Sequence, residues 1–164
     1  MPAAEKDLND LFHDTLKDIY FAEKQILKAL PKMAKAAKAP ELKEAFETHR
    51  QETEGQIERL EQVFELIEKK PQGKTCEAIK GILEEGTGIM EEFKGTEALD
   101  AGLVSAAQAV EHYEMARYGT LRTWASQLGL KQAVSLLDET LAQEKNADKL
   151  LSRIAIGGPN RRAA

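Results

Sequence analysis

Seven side chains that can bind metal or carry protons fall on or beside the apolar faces of four amphipathic segments. They are Glu23 in the first, His49 and Glu52 in the second, Glu111 and Glu114 in the third, and Glu144 and Asp148 in the fourth. Glu23 is the plainest case. Leu8, Phe12, Ile19, Ile26, Leu30 and Met33 recur at three- and four-residue steps, the mark of a helix face turned to a core, and Glu23 lies within that stripe. An ionised carboxylate taken out of water must shift its pKa, pair with a cation or bind a metal. His49 and Glu52 are three residues apart, as are Glu111 and Glu114, whereas Glu144 and Asp148 are four apart, so each pair spans one helical turn. Projected at about 100° per residue, Glu23, His49, Glu114 and Glu144 point nearest the apolar centre, with Glu52 and Glu111 toward its edges. Counting along the helices from the turns sets Glu23 level with Glu54 to Gln56, and Glu111 level with Glu144 to Asp148. Both halves of the chain then meet near one layer.

Carboxylates gathered in this way repel one another unless cations compensate. Two divalent ions, iron or manganese, bridged by glutamates and completed by one imidazole, answer that repulsion with hard oxygen ligands. Such a pair can bind and reduce dioxygen or peroxide. Tyr113 and Tyr118 follow closely enough on the third segment to donate hydrogen bonds to the ligands. His112 projects away from the centre and His13 stands near the amino end, so neither joins the candidates. A plainer account stands beside this one. The glutamates are solvated, His49 is a core histidine, and inward carboxylates are neutralised by protons, lysine or arginine in a helical protein that acts through assembly or partner binding.

Four long helices must position these residues. The first is expected from about Glu5 to Ala37, with Pro31 as a site for a kink and a break near Ala39 and Pro40. The second buries Leu42, Phe46, Leu60, Phe64 and Ile67 and stops before Pro71 and Gly73. Lys74 to Gly95 carries four glycines yet keeps an apolar rhythm through Ile79, Ile82, Leu83, Ile89, Met90 and Phe93, which predicts a short or broken helix crossing the bundle. The third long helix begins near Thr96 or Glu97, runs through Leu99, Leu103, Val110, Leu121 and Trp124, and ends close to Gly129. The fourth begins at Leu130 and Lys131, carries Val134, Leu137, Leu141 and Leu151, and fades before Gly157. No run alternates apolar and polar residues as a strand would. Short turns make each hairpin antiparallel, and the long middle lets the chain return, giving an all-α antiparallel four-helix bundle with one long crossover containing a short extra helix. The halves echo each other, since Glu23 precedes Leu42-Lys43 at the spacing by which Glu111 precedes Leu130-Lys131.

Length and charge narrow the class. The 164 residues suit one domain, expected over 1–156 with a flexible tail over 157–164. A net charge of -5 and a pI near 5.4 disfavour nucleic-acid binding, which relies on a basic surface. No apolar run approaches the roughly 20 residues of a membrane span, and the start is charged from Glu5, so no membrane partner and a cytoplasmic location are expected. Cys76 is the single cysteine, without an internal disulfide or a neighbouring zinc motif, and reads as a small buried hydrophobe.

The stretches DIYFAEKQILKALPKM, HRQETEGQIERLEQVF, VEHYEMARYGTLRTWA and LAQEKNADKLL, with CEAIKGILEEG between the halves, resemble the YciF/YciE family of ferritin-like bacterial stress proteins. The likeness covers nearly all of residues 5 to 155. It implies a ferritin-like bundle, a homodimer and a dinuclear iron or manganese centre linked to stress, acting on small oxygen species or metal ions. By motif the implied ligands are Glu23, Glu52, Glu111, Glu114 and Glu144, with His49 and Asp148 added. The chain departs from the wider ferritin-like pattern, in which glutamate precedes histidine by three residues on two helices. His49 here precedes Glu52, Gly55 stands three residues after Glu52, and Ala147 three after Glu144. Fewer nitrogen donors make the centre richer in oxygen, which favours manganese, weakens iron binding, or marks a partly degenerate site.

Overall fold

The computed structural model describes residues 3–164. These form α1 (Leu8–Ala36), α2 (Pro40–Leu66), α3 (Glu77–Glu92), α4 (Leu99–Gln127), α5 (Lys131–Gly157) and α6 (Pro159–Ala163), with no strand among the described residues. Around the bundle the long helices run α1, α2, α5, α4, each packed on the next and α4 closing on α1, while α3 lies over α1 and α4.

Local chemistry sets the helix ends. Asp7 caps α1: its carboxylate accepts from the Asp10 amide at 3.1 Å and Asp10 accepts from the Asp7 amide at 3.0 Å, so the helix starts at Leu8 rather than at Glu5. It continues unbroken through Pro31 and stops before Pro40, which opens α2 at a position that needs no amide donor. The α2 end closes with the Lys69 amide donating to the Phe64 carbonyl at 2.9 Å, which puts Glu68 at φ 56. Glycine adopts that conformation without the penalty a Cβ carries. Glu68→Gly is therefore expected to raise stability by about 0.5–1 kcal/mol; urea unfolding showing a loss instead would mean the glutamate side chain is needed there. At the matching turn the chain already has glycine, Gly129 at φ 73, between α4 and α5.

The crossover is more regular than its glycines suggest. It forms one helix of 16 residues, because packing on α1 and α4 outweighs low intrinsic propensity. Gly102 of α4 permits that approach, since a Cβ there would sit 2.6 Å from Ile89 Cγ2. Of the apolar residues expected to be covered, Ile79 is buried, Ile82, Leu83, Ile89 and Met90 are half-buried, and Phe93 is exposed. Thr96 bonds back to the Phe93 carbonyl through its hydroxyl at 2.8 Å, holding a turn that delays α4 to Leu99. Within 157–164, the stretch expected as a flexible tail, α5 reaches Gly157 and α6 rests on α4 and α5 with Pro159 buried.

Long-range contacts give the directions. Lys38, just past α1, bonds Asp100 at the start of α4, while Lys74 before α3 donates to the Lys17 carbonyl near the start of α1. The chain therefore climbs back along the bundle through α3, and α4 runs antiparallel to α1. Between α2 and α5, Arg59 meets Thr140 and Gln56 meets Gln143, an antiparallel register. The His49 side chain meets Glu144 of α5 and Glu111 of α4. Above and below lie Phe12, Leu16, Phe46, Leu60, Phe64, Leu103, Leu121 and Leu137, all essentially solvent-free.

Candidate metal centre

Each long helix places a titratable side chain in the middle of this apolar core, an acid from α1, α4 and α5 and a histidine from α2. Glu23, Glu111, Glu114 and Glu144 have no solvent exposure, and His49 retains 5 %. His49 Nδ1 lies 2.6 Å from Glu111 Oε1, and His49 Nε2 lies 3.8 Å from Glu144 Oε1. His49, Glu111, Glu114 and Glu144 each offer one ligand atom, all within 4.8 Å of one another. Glu23 adjoins this group through Glu114 and Glu144, with the buried Tyr118 phenol beside Glu23 and Glu114. Wheel projection set Glu111 toward an edge; the structure buries it fully, because α2 and α5 close over that side of α4 and bring His49 against it.

Burial sets the proton affinities. It pushes the Glu23 carboxyl up to about 8, helped by the Glu144 charge. Glu111 and Glu114 are also driven well above the ordinary carboxylate range, first by burial and then by their acidic neighbours. Glu144 moves the other way. Burial alone would raise it, but the adjoining Glu114 and Glu111 carboxyls and the nearby His49 hold it below the ordinary carboxylate range. Loss of hydration lowers the basicity of His49, against the opposing pull of the Glu144 charge, and so favours the neutral imidazole that can offer a lone pair.

Eleven buried side-chain oxygen and nitrogen atoms in the described residues lack a hydrogen-bond partner. All belong to Glu23, His49, Gln56, Glu111, Glu114, Tyr118 and Glu144. Buried polar atoms are ordinarily satisfied, so their collection at one place marks a site shaped for an electropositive guest. The donor set, carboxylate oxygens with one imidazole and no thiolate, could hold a metal ion.

The remaining predicted residues lie at the margin. Glu52 is half-buried one turn from His49, its carboxyl raised by partial burial and by the Glu144 charge. Asp148 accepts from Gln108 Nε2 at 3.3 Å and lies 3.1 Å from His112 Nε2, so those side chains hold it at the rim beside Glu111. Tyr113, expected to support the ligands, turns instead toward α1 and the crossover: its hydroxyl donates to Asp18 at 2.7 Å and lies 2.9 Å from the buried Cys76 sulfur. His13 packs edge-on against Phe64, apart from the centre.

A family model described as a domain of unknown function (DUF892) matches residues 7–164. Protein YciF of Escherichia coli (strain K12) is 45 % identical over 159 residues, covering 96 % of each chain. The chain belongs to the YciF family. The crystal structure of the Escherichia coli stress protein YciF superimposes with a TM-score of 0.90 at 45 % identity, over 95 % of this chain and 99 % of that one. YcfI from Rhodopseudomonas palustris gives 0.88 at 44 % identity, over 93 % and 97 %. A protein of Xanthomonas campestris pv. campestris, 24 % identical over 90 % of this chain and 89 % of that one with a TM-score of 0.69, shares the fold. No helix among the described residues is long and apolar enough to cross a membrane.

Proposed function

We propose that this YciF-family protein is a dinuclear metal-binding protein of the stress response, with redox chemistry on peroxide, dioxygen or ferrous iron. The observation that carries this reading is the group of four buried glutamates and one buried histidine, contributed by four helices, that meet in the apolar core. Glu23, His49, Glu111, Glu114 and Glu144 would hold the metals, with Glu52 and Asp148 within reach from the rim. Iron or manganese held there supplies the electrons and Lewis acidity that reduction of an oxygen species needs.

The chain contributes the setting. Full burial removes competing water, so the carboxylates act in a low-dielectric space where their charge is felt strongly. Protons held by Glu23, Glu111 and Glu114 in the metal-free protein must leave on metal binding, which makes uptake pH-dependent. Tyr118 keeps its phenolic proton beside Glu23 and Glu114, its pKa raised above all by burial.

Protein produced with iron and manganese supplied is expected to contain about two metal ions per chain, to consume peroxide or oxidise ferrous iron, and to lose both properties in the Glu23→Ala/Glu144→Ala double variant. Elemental analysis finding no metal, with melting unchanged on metal addition, would overturn the reading. A second reading draws on the proton sharing among Glu111, Glu114 and Glu144, which is itself a way to neutralise the cluster. A metal-independent bundle would then act through dimerisation or partner binding, and cells carrying the double variant would survive stress as well as wild type. Homodimerisation is part of the proposal under either reading. The half-exposed Ile82, Leu83 and Met90 and the exposed Phe93 on and after α3 support it, and light scattering on a sizing column measures it.

A further inference from the structure

We propose that Gln56 is a neutral oxygen ligand of the same centre, taking a place that its sequence spacing leaves without an imidazole. This rests on the metal-binding reading above. Gln56 lies on α2 seven residues after His49, two turns along one face, and is completely buried. Its Oε1 has no hydrogen-bond partner, although glutamine at the centre of an apolar core would ordinarily be satisfied through both ends of its amide.

A chain of donors fixes how that amide is turned. Arg59, only 14 % exposed, is held by Thr140 at 2.9 Å and donates from Nη2 to Gln143 Oε1. A guanidinium has only donors, so Gln143 must present its oxygen to Arg59. The same oxygen accepts from Gln56 Nε2 at 3.2 Å. Rotating the Gln56 amide by half a turn would set two carbonyl oxygens against each other, so Nε2 faces Gln143 and Oε1 is the end left over. Gln56 also lies against Glu144, the acid that touches both Glu114 and Glu111, and its amide N–H end favours the ionised form of that carboxyl, which leaves Oε1 as the end without a partner. A carbonyl oxygen without a donor, buried beside that acid, is a hard ligand of the type manganese and iron accept. Being uncharged, it adds a donor without adding to the repulsion among the four glutamates.

Two variants separate this role from scaffolding. Gln56→Leu removes both polar ends at nearly constant volume, whereas Gln56→Glu keeps an oxygen donor but removes the amide that bonds Gln143. Chelator-stripped protein is titrated anaerobically with manganese alone, with calorimetry for affinity, paramagnetic resonance for coupled against isolated ions, and circular dichroism to confirm the fold. If Gln56 is a ligand, Gln56→Leu weakens one of two manganese sites at least about 10-fold and replaces the coupled signal by that of isolated ions, while Gln56→Glu retains both sites. Equal affinities in Gln56→Leu and wild type overturn the ligand assignment and leave the metal centre standing. Loss of binding in Gln56→Glu as severe as in the leucine variant also overturns it, because the amide hydrogen bond would then be what matters. A wild-type protein that takes up no manganese or iron overturns both inferences.

Discussion

Replacing Glu23 with glutamine is expected to make the metal-free protein more stable, not less, while abolishing most of the stabilisation that metal confers. A carboxyl whose proton affinity rises from the ordinary 4.5 to about 8 on folding opposes the native state whenever it must ionise. Because the folded value is the higher one, its contribution is fully favourable below pH 4.5 and is lost as pH rises through about 8. At pH 7 the cost is about 3 kcal/mol, which in a domain of this size corresponds to roughly 6–12 °C of melting temperature. Glu111 and Glu114 act in the same direction and Glu144 in the opposite one. Chelator-stripped wild type should therefore melt higher at pH 6 than at pH 8, and Glu23→Gln should flatten that slope. With manganese or iron added the order reverses, since only wild type has its full ligand set. Thermal melts at the two pH values, with and without metal, decide the matter. A metal-free Glu23→Gln variant less stable than wild type at pH 8 would show that Glu23 already has a compensating partner.

The second large effect is expected at Asp100, away from the centre. Its carboxylate is 4 % exposed and accepts from the amides of Lys38 and Ala39, both at 2.8 Å. Those amides belong to the turn between α1 and α2, so one side chain at the start of α4 sets the height of the first hairpin against the second. Asp100→Ala would leave the Ala39 donor buried and unpaired and remove two charge-assisted bonds, a loss of about 3–4 kcal/mol. Asp100→Asn keeps an acceptor and should lose about half as much. Urea unfolding of the two variants measures both values. A cost for alanine below about 0.5 kcal/mol, the level of an ordinary surface change, would mean that water replaces the carboxylate without penalty.

Both predictions depend on residues of different legibility. Glu23 can be found from a single helix, because its stripe is long, regular and interrupted once. Asp100 cannot, since an acid near a helix start reads as a solvated residue favoured by the helix dipole. Only the turn brought against it from 61 and 62 residues away reveals its use. Gln56 carried a weak signal, its spacing of seven from His49, but a lone buried amide has meaning only once Gln143 and Arg59 show how it is oriented.

The amino-acid pattern by itself determined the four long helices, the two antiparallel hairpins, the crossover between them and the acidic character of their meeting place. These follow from periodicity, caps and breakers, which act within a few residues of chain. Tertiary structure alone decided how deep each acid lies. A wheel drawn at about 100° per residue gives a direction, whereas depth depends on which neighbouring helix closes over that direction. That is why Glu111 lies buried against His49 while Glu52 and Asp148 stay at the rim. Tyr113 was drawn aside to Asp18 and Cys76 for the same reason: the partners that claim a polar side chain come from other helices, and their register is set by packing across the whole bundle.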